Sequence, residues 1–332
     1  MPINAPAFTL QTGESIPAIG LGTFGSDKYG PDTIANAVEG ALKIGYRLID
    51  CASVYGNEDR IGPIIERAIS DGVVSRNELF INSKVWNDMH ERGDPLLSLA
   101  KTLKDLRVDY VDCYFVHWPF PNYHAPGCDG DARNPDSVPF DTERFMATWR
   151  QMERLYRLGL TRHLGMSNMT IPKLEAVLPY CTVKPALIEM EMHPSFQQQA
   201  LFDYCKVRGI QPIGYSPIGS PSRPERDRTP EDIVDCEMPE LVTIAKAHGI
   251  HPALVCLKWQ VQRGSIPIPF SVKPEQYAAN LNAVTSDPLT DEEMRIMSTL
   301  ERGCRLVKGQ VFLWPGANDW RDLWDIDGII TS

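Results

Sequence analysis

The chain has 332 residues, 43% hydrophobic and 23% charged, with a formal net charge of −10. That balance is globular, and the acidic excess argues against nucleic-acid or anionic-membrane partners. No apolar run reaches the roughly 18 residues of a membrane span, and MPINAPAFTLQTGE has no basic stretch leading an apolar one, so neither a span nor a signal peptide is expected.

Strand-like apolar runs cover 16–22, 46–52, 79–86, 111–118, 162–167, 186–193, 210–216 and 265–269. The segments between them predict helices over 31–44, 57–70, 93–106, 141–158, 171–179, 195–208, 238–248 and 274–283, with two more at 252–263 and 290–300. Asp94, Asp141 and Thr290 or Asp291 are candidate N-caps, and Gly45, Gly159, Gly209 and Gly249 candidate C′ residues. Eight strands alternating with helices point to an α/β fold with a parallel sheet. At this length the expectation is one (β/α)8 TIM barrel spanning 1–332.

Two irregular stretches, 119–140 and 217–235, each follow a strand end and so fall over the barrel mouth, as pocket walls or as solvated loops. The segment after residue 300 carries Phe312, Trp314, Trp320 and Trp324, too many large aromatics for a solvated tail, and is expected to pack across the same mouth. The eight cysteines have no CxxC pair. Cys51, Cys113, Cys181, Cys205, Cys236 and Cys256 read as small core hydrophobes, which favours a reducing, cytoplasmic compartment. A core of this size needs neither disulfide nor metal, and no metal site is expected.

Residues 20–25, GLGTFG, match GxGxxG, but the dinucleotide-binding reading needs a helix that opens within the motif. The next helix signal is Pro31. The motif therefore reads as a loop after the first barrel strand.

Asp50 and Tyr55 stand in YRLIDCASVYGNE, Lys84 closes LFINSK and His117 closes CYFVH. In a parallel barrel these strand ends meet at one mouth, which makes the four residues an arrangement for moving protons. On these residues the chain resembles the aldo-keto reductases, whose Asp, Tyr, Lys and His tetrad maps onto Asp50, Tyr55, Lys84 and His117. The similarity runs from about residue 8 to 300 through IPAIGLGTF, INSKVW, VDCYFVHWP, LGMSNM, EMHP, GYSPIGS and SIPIPFSV, in family order.

The resemblance implies hydride transfer between a nicotinamide cofactor and a carbonyl or alcohol. Tyr55 would donate the proton, and Lys84, held by Asp50, would lower its pKa. His117 would orient the carbonyl oxygen. By the same carry-over Gly22, Thr23 and Phe24 form a loop that a cofactor ring can approach, beside Asp50. Ser167 and Asn168 would hold the nicotinamide carboxamide, Tyr215 would stack on the ring, and Ser216, Pro217, Ile218, Gly219 and Ser220 would line the pyrophosphate.

The chain departs from the family pattern in two places. Glu189 stands where the family often has Gln. Phe270, Ser271, Val272 and Gln276 replace a stretch that normally offers Lys and Arg to an adenosine 2′-phosphate, while Asn280 remains for the adenine. Lys273 could replace one charge or sit free on the surface, so NAD and NADP are both open as cofactor.

Phe24, Trp86 and Trp118, with Tyr55 and His117, are the expected substrate-binding residues. Such aromatic walls suit sugar- or polyol-like carbonyls, and also aliphatic aldehydes or steroids. His124, Asp129, Asp131, Arg133 and Asp136 offer polar contacts or remain solvated. Two rival readings remain at this level. One is a cofactor-binding redox sensor or channel-associated subunit on the same barrel. The other is a barrel enzyme in which Lys84 forms a Schiff base, which leaves Tyr215 and the Ser-Asn pair without a role.

Overall fold

The computed structural model describes residues 3, 5–25, 27–124, 134–220 and 228–331. The chain opens on an antiparallel hairpin, β1 (Ala7–Thr9) and β2 (Ser15–Pro17). Eight parallel strands follow and pair in chain order: β3 (Gly20–Gly22), β4 (Leu48–Asp50), β5 (Phe80–Val85), β6 (Val111–Val116), β7 (Thr161–Ser167), β8 (Leu187–Glu191), β9 (Gln211–Tyr215) and β10 (Ile266–Pro267). Gly22 N donates to Pro269 O at 3.0 Å and brings the last strand back to the first. The result is the expected TIM barrel, nearly closed.

Glycine makes that closure possible. A Cβ on Gly22 would stand 2.8 Å from the Ile268 carbonyl oxygen, and one on Gly20 would run into Leu48 and Ile268. The GLG run thus serves strand approach, and the first helix, α1 (Pro31–Ile44), starts well beyond the GLGTFG motif. The run expected as one strand over 16–22 is divided between the hairpin and β3. Ile16 pairs with Phe8, and the chain turns through Ala18, whose N–H bonds Pro6 O at 2.8 Å.

The remaining helices are α2 (Glu58–Ser70), α3 (Asp94–Leu106), α4 (Thr142–Arg157), α5 (Ile171–Val177), α6 (Gln199–Val207), α7 (Pro239–His248), α8 (Pro252–Arg263), α9 (Pro274–Thr285) and α10 (Asp291–Ser298). Asp141 caps α4 by accepting from Arg144 N, and Thr290 forms a capping box with Glu293 on α10. Asp94 is not an N-cap: Gly93 takes that place, and the Asp94 carboxylate accepts from Glu91 N at 3.1 Å. The helix expected from 195 begins at Gln199, because Gln198 is held left-handed at φ 47° after the His193–Phe196 turn.

Three apolar layers position the site. The outward strand faces pack Ile49, Ile81, Tyr114, Leu164 and Ile188 against the helices. Inside the barrel lie Leu48, Phe80, Cys113, Phe115, Leu187, Ile213, Ile266 and Ile268, with Leu10 and Ile16 of the hairpin closing the bottom. The third layer covers the mouth: Trp118 and Phe120, from the stretch after β6, pack on Val311, Phe312, Leu313, Trp314, Leu323 and Trp324. The C-terminal segment therefore lies where its aromatics predicted.

Buried polar contacts hold that segment down. Lys173 of α5 pairs with Asp325 at 2.5 Å, Asn122 donates to Phe312 O, and Trp324 Nε1 donates to Lys308 O. The seven described cysteines are free. Six are placed as small hydrophobes by the sequence, and five of those are buried, whereas Cys236 is only half-buried.

Candidate active site

Strand alternation delivers the site. Leu48 and Phe80 face the barrel interior, so Asp50 two residues on, and Lys84 four residues on, face it too, nearer the C-terminal end. After Asp50 the chain makes a single 3-10 turn at Ser53–Tyr55 and reverses at Gly56, where φ is 65°, returning Tyr55 over the mouth. His117 follows β6 with its N–H on Val85 O.

The four sequence-predicted residues meet. Lys84 Nζ donates to Asp50 Oδ2 at 2.6 Å and to Cys51 O at 3.1 Å. It stands 5.4 Å from the centre of the Tyr55 ring, and that ring lies 5.9 Å from the His117 ring. Asn82 steadies the other Asp50 oxygen, and Thr23 donates to the Asp50 carbonyl at 2.7 Å, tying the loop after β3 to β4.

Electrostatics correct one expectation. Burial raises the Tyr55 pKa above its ordinary value, and Lys84, although it works in the lowering direction, does not overcome this. Two carboxylates, Asp50 and Glu189, also act against it. Burial alone would lower the Lys84 pKa, but Asp50, Glu189 and Tyr55 hold it well above normal, so it stays an ammonium. Burial and the Lys84 charge keep His117 neutral.

Glu189 is almost fully buried, and its Oε2 lies 3.3 Å from Lys84 Nζ, in ion-pair range but outside hydrogen-bond angles. Asn168, at φ 58°, already uses both ends of its amide: Nδ2 donates to His117 O at 2.9 Å and to Ser167 Oγ at 3.2 Å, and Oδ1 accepts from Tyr215 OH at 2.6 Å. Ser216 and Gly219, both with positive φ, turn the chain over the next stretch. Gln260 donates to Pro217 O, Cys236 Sγ lies 3.9 Å from Ile218 O, and Asp235 packs where a Cβ on Gly219 would clash. This brings Ser216 to Ser220 beside the mouth.

At the far end, Phe270 packs over Gly25, and its ring centre is 6.0 Å from that of Tyr29. Ser271 Oγ accepts from Lys273 N and donates to Gln276 Oε1, while Val272 is half-buried. Lys273 is exposed at the N-cap of α9, and Asn280 lies one turn beyond Gln276.

Rings line the entrance. Phe24 is 5.2 Å from Tyr55 and Trp86 is 5.0 Å from His117. Phe312 then joins Trp86 at 5.9 Å, His124 at 5.4 Å and Trp118 at 4.6 Å. Trp118 is buried against Phe312, Phe120 and Trp324. Asp136 is exposed. Asp129, Asp131 and Arg133 lie outside the described residues.

The sequence reading placed Phe312 on the covering segment but did not assign it to the pocket, and no spacing rule links it to Trp86. It also missed a clamp next to the site. Glu191 accepts from His193 Nε2 at 2.9 Å and from the amides of Leu306 and Val307, and His193 Nδ1 meets Asp235 at 3.0 Å. Burial alone would lower the His193 pKa, but the two carboxylates raise it to about 9, so an imidazolium joins β8, the stretch after β9 and the C-terminal segment. Only the motif EMHP hinted at it.

Among the described residues, no group of three His, Cys, Asp or Glu side chains could hold a metal ion, and no helix is long and apolar enough to cross a membrane.

A parallel barrel whose C-terminal mouth gathers a buried carboxylate, lysine and histidine with a half-buried tyrosine under aromatic walls is an oxidoreductase scaffold. Residues 18–302 match the model of the Aldo/keto reductase family, and the chain belongs to that family. It is 42% identical over 301 residues to aldo-keto reductase family 1 member A1 of Xenopus tropicalis, with 90% of each chain covered. An aldo/keto reductase of Synechocystis is 40% identical over 325 residues, with 96% of each chain covered. An aldo-keto reductase of Bombyx mori, solved in complex with NADP, superposes with a TM-score of 0.80 at 30% identity, over 92% of this chain and 95% of that one.

Proposed function

We propose that this protein interconverts a carbonyl and an alcohol, using a nicotinamide cofactor, with Tyr55 as general acid and base. The observation that carries this reading is the convergence of Tyr55 with buried Lys84, Asp50 and His117 in one cluster, with Lys84 Nζ 2.6 Å from Asp50.

The nicotinamide, when bound, supplies the hydride that no side chain can. Tyr55 passes its phenolic proton to the carbonyl oxygen in reduction and takes it back in oxidation. Lys84 steadies the phenolate that forms, and Asp50 keeps Lys84 charged and in place. His117, neutral and with a buried Nδ1 lacking a hydrogen-bond partner among the described atoms, orients the substrate oxygen. Phe24, Trp86 and Phe312 exclude water around it.

The residues fit the cofactor. Gly22 leaves room beside the Ile268 carbonyl that a larger residue would fill, and Glu189 offers a buried oxygen without a hydrogen-bond partner. Ser167, Asn168 and Tyr215 would hold the nicotinamide end, with Tyr215 releasing Asn168 Oδ1 to do so. Ser216 to Ser220 would line the pyrophosphate. Ser271, Lys273 and the start of α9 would face the adenosine phosphate. The aromatic entrance favours a sugar- or polyol-like carbonyl, whose C–H faces pack on rings.

The test is to mix the protein with NADPH or NADH and a panel of aldoses, ketoses and aliphatic aldehydes. Loss of the near-ultraviolet absorbance of the reduced cofactor with aldoses is the expected result. No consumption with any carbonyl, in protein that binds the cofactor, would overturn the reading.

A further inference from the structure

Two carboxyl groups, not one, surround Lys84. Asp50 Oδ2 is 2.6 Å from Nζ and Glu189 Oε2 is 3.3 Å from it, and the three side chains are 0% to 3% exposed. Glu189 Oε2 has no hydrogen-bond donor of its own, whereas the Asp50 oxygens accept from Lys84 and Asn82. One ammonium cannot neutralise two adjacent carboxylates away from water, so the more distant one, Glu189, retains a proton where a separate carboxylate would be ionised.

We propose that Glu189 is a positioning residue of the tetrad: it holds a proton beside Lys84, and the loss of that proton sets the upper pH limit for proton delivery by Tyr55. The inference rests on the carbonyl-reductase reading for its kinetic consequence, but not for the retained proton.

The neighbours support this assignment. The titratable groups that interact with Glu189 are Asp50 of β4, Tyr55, Lys84 of β5, Cys113 of β6 and Tyr215 of β9, with Glu191 two residues on in its own strand and His117 just after β6. Cys113 and Tyr215 are raised well above their usual values, chiefly by burial, and stay neutral, as does His117. Glu191 has its charge met by His193 and by two backbone amides. The titrating group is therefore Glu189, which burial together with the neighbouring Asp50 pushes up to about 8.

Protonated, the cluster has one anion and one cation, and the field of Lys84 assists phenolate formation. When the proton leaves to solvent, a second anion offsets that field and Tyr55 becomes a poorer acid. A neighbouring charge of this kind moves a pKa by one unit or more, of which proton transfer passes on a part, so reduction slows by roughly tenfold.

The test uses the cofactor-free protein and the Glu189→Gln variant, which keeps size and removes charge. Infrared titration of wild type grown with isotope-labelled glutamate reads the carboxylic-acid stretch directly. A labelled band that persists at neutral pH and disappears as pH rises through about 8, and that Glu189→Gln lacks, is expected. Glu58, whose pKa burial also raises, remains in both proteins and cancels in the difference. In the kinetic arm, kcat/KM for reduction in wild type falls over the same range, and Glu189→Gln loses that limb. If that variant is not folded, the same titration of Glu58→Gln decides the proton, because the Glu189 band must persist there. No protonated glutamate at neutral pH, or an unchanged limb in a folded Glu189→Gln, overturns the proposal. Absence of any turnover, with the infrared band present, would instead count against the carbonyl-reductase reading.

Discussion

Lys84 Nζ lies 2.6 Å from Asp50 Oδ2, with side-chain exposures of 0% and 2%. Removing one partner of such a pair strands the other. Lys84→Met would leave Asp50 and Glu189 facing each other without a cation, at a cost of about 3–5 kcal/mol typical of a broken buried pair. It would also remove the charge that assists Tyr55 ionisation. Urea unfolding should show the loss of stability. In alcohol oxidation the rising limb of the pH profile should move to higher pH. An unchanged limb in a folded variant would break the Lys84–Tyr55 link.

In the proposed cofactor placement, Phe270 stands where a cation would meet an adenosine phosphate. One charge-assisted contact contributes roughly 1.5–3 kcal/mol, so Phe270→Lys should tighten NADPH by about ten- to a hundredfold and leave NADH nearly unchanged. Fluorescence titration of both cofactors measures it. Lys273→Ala, run beside it, tells whether the exposed Lys273 already reaches the phosphate. If wild type strongly prefers NADPH and Lys273→Ala leaves that preference intact, the view of this stretch fails.

The His193 clamp makes stability depend on pH. The His193 pKa is raised from 6.5 to about 9 in the folded state. Its contribution is therefore complete below the unfolded value and is lost as pH rises through about 9, a difference on the order of 3 kcal/mol. Denaturation midpoints should fall between about pH 7 and pH 10, and His193→Gln should flatten part of that slope. An equal slope in the variant would mean that His193 is not charged at neutral pH.

Most of the barrel was legible in the sequence because its signals are local. Asp50 ends β4, Lys84 stands one residue before the end of β5 and His117 just beyond β6, and two-residue alternation along these strands decides which side chains point inward. The hairpin was hidden because apolar 16–22 has no signal for the turn at Ala18, which depends on contact with Pro6. Phe312 against Trp86, and Leu306 on Glu191, join residues far apart in the chain, where no periodicity operates. The net direction of the Tyr55 shift was missed for a similar reason. Proximity of Lys84 is a local inference, whereas burial depends on the whole aromatic cover.

The most direct test of the account is the pre-steady-state rate of cofactor oxidation with a reducible carbonyl, in wild type and Tyr55→Phe. The account predicts that the variant binds cofactor within a few-fold of wild type and loses turnover by at least about a hundredfold, since general acid catalysis contributes roughly 10²–10⁴. A Tyr55→Phe variant that keeps more than about a tenth of the wild-type rate would contradict it, because the proton would then come from another group.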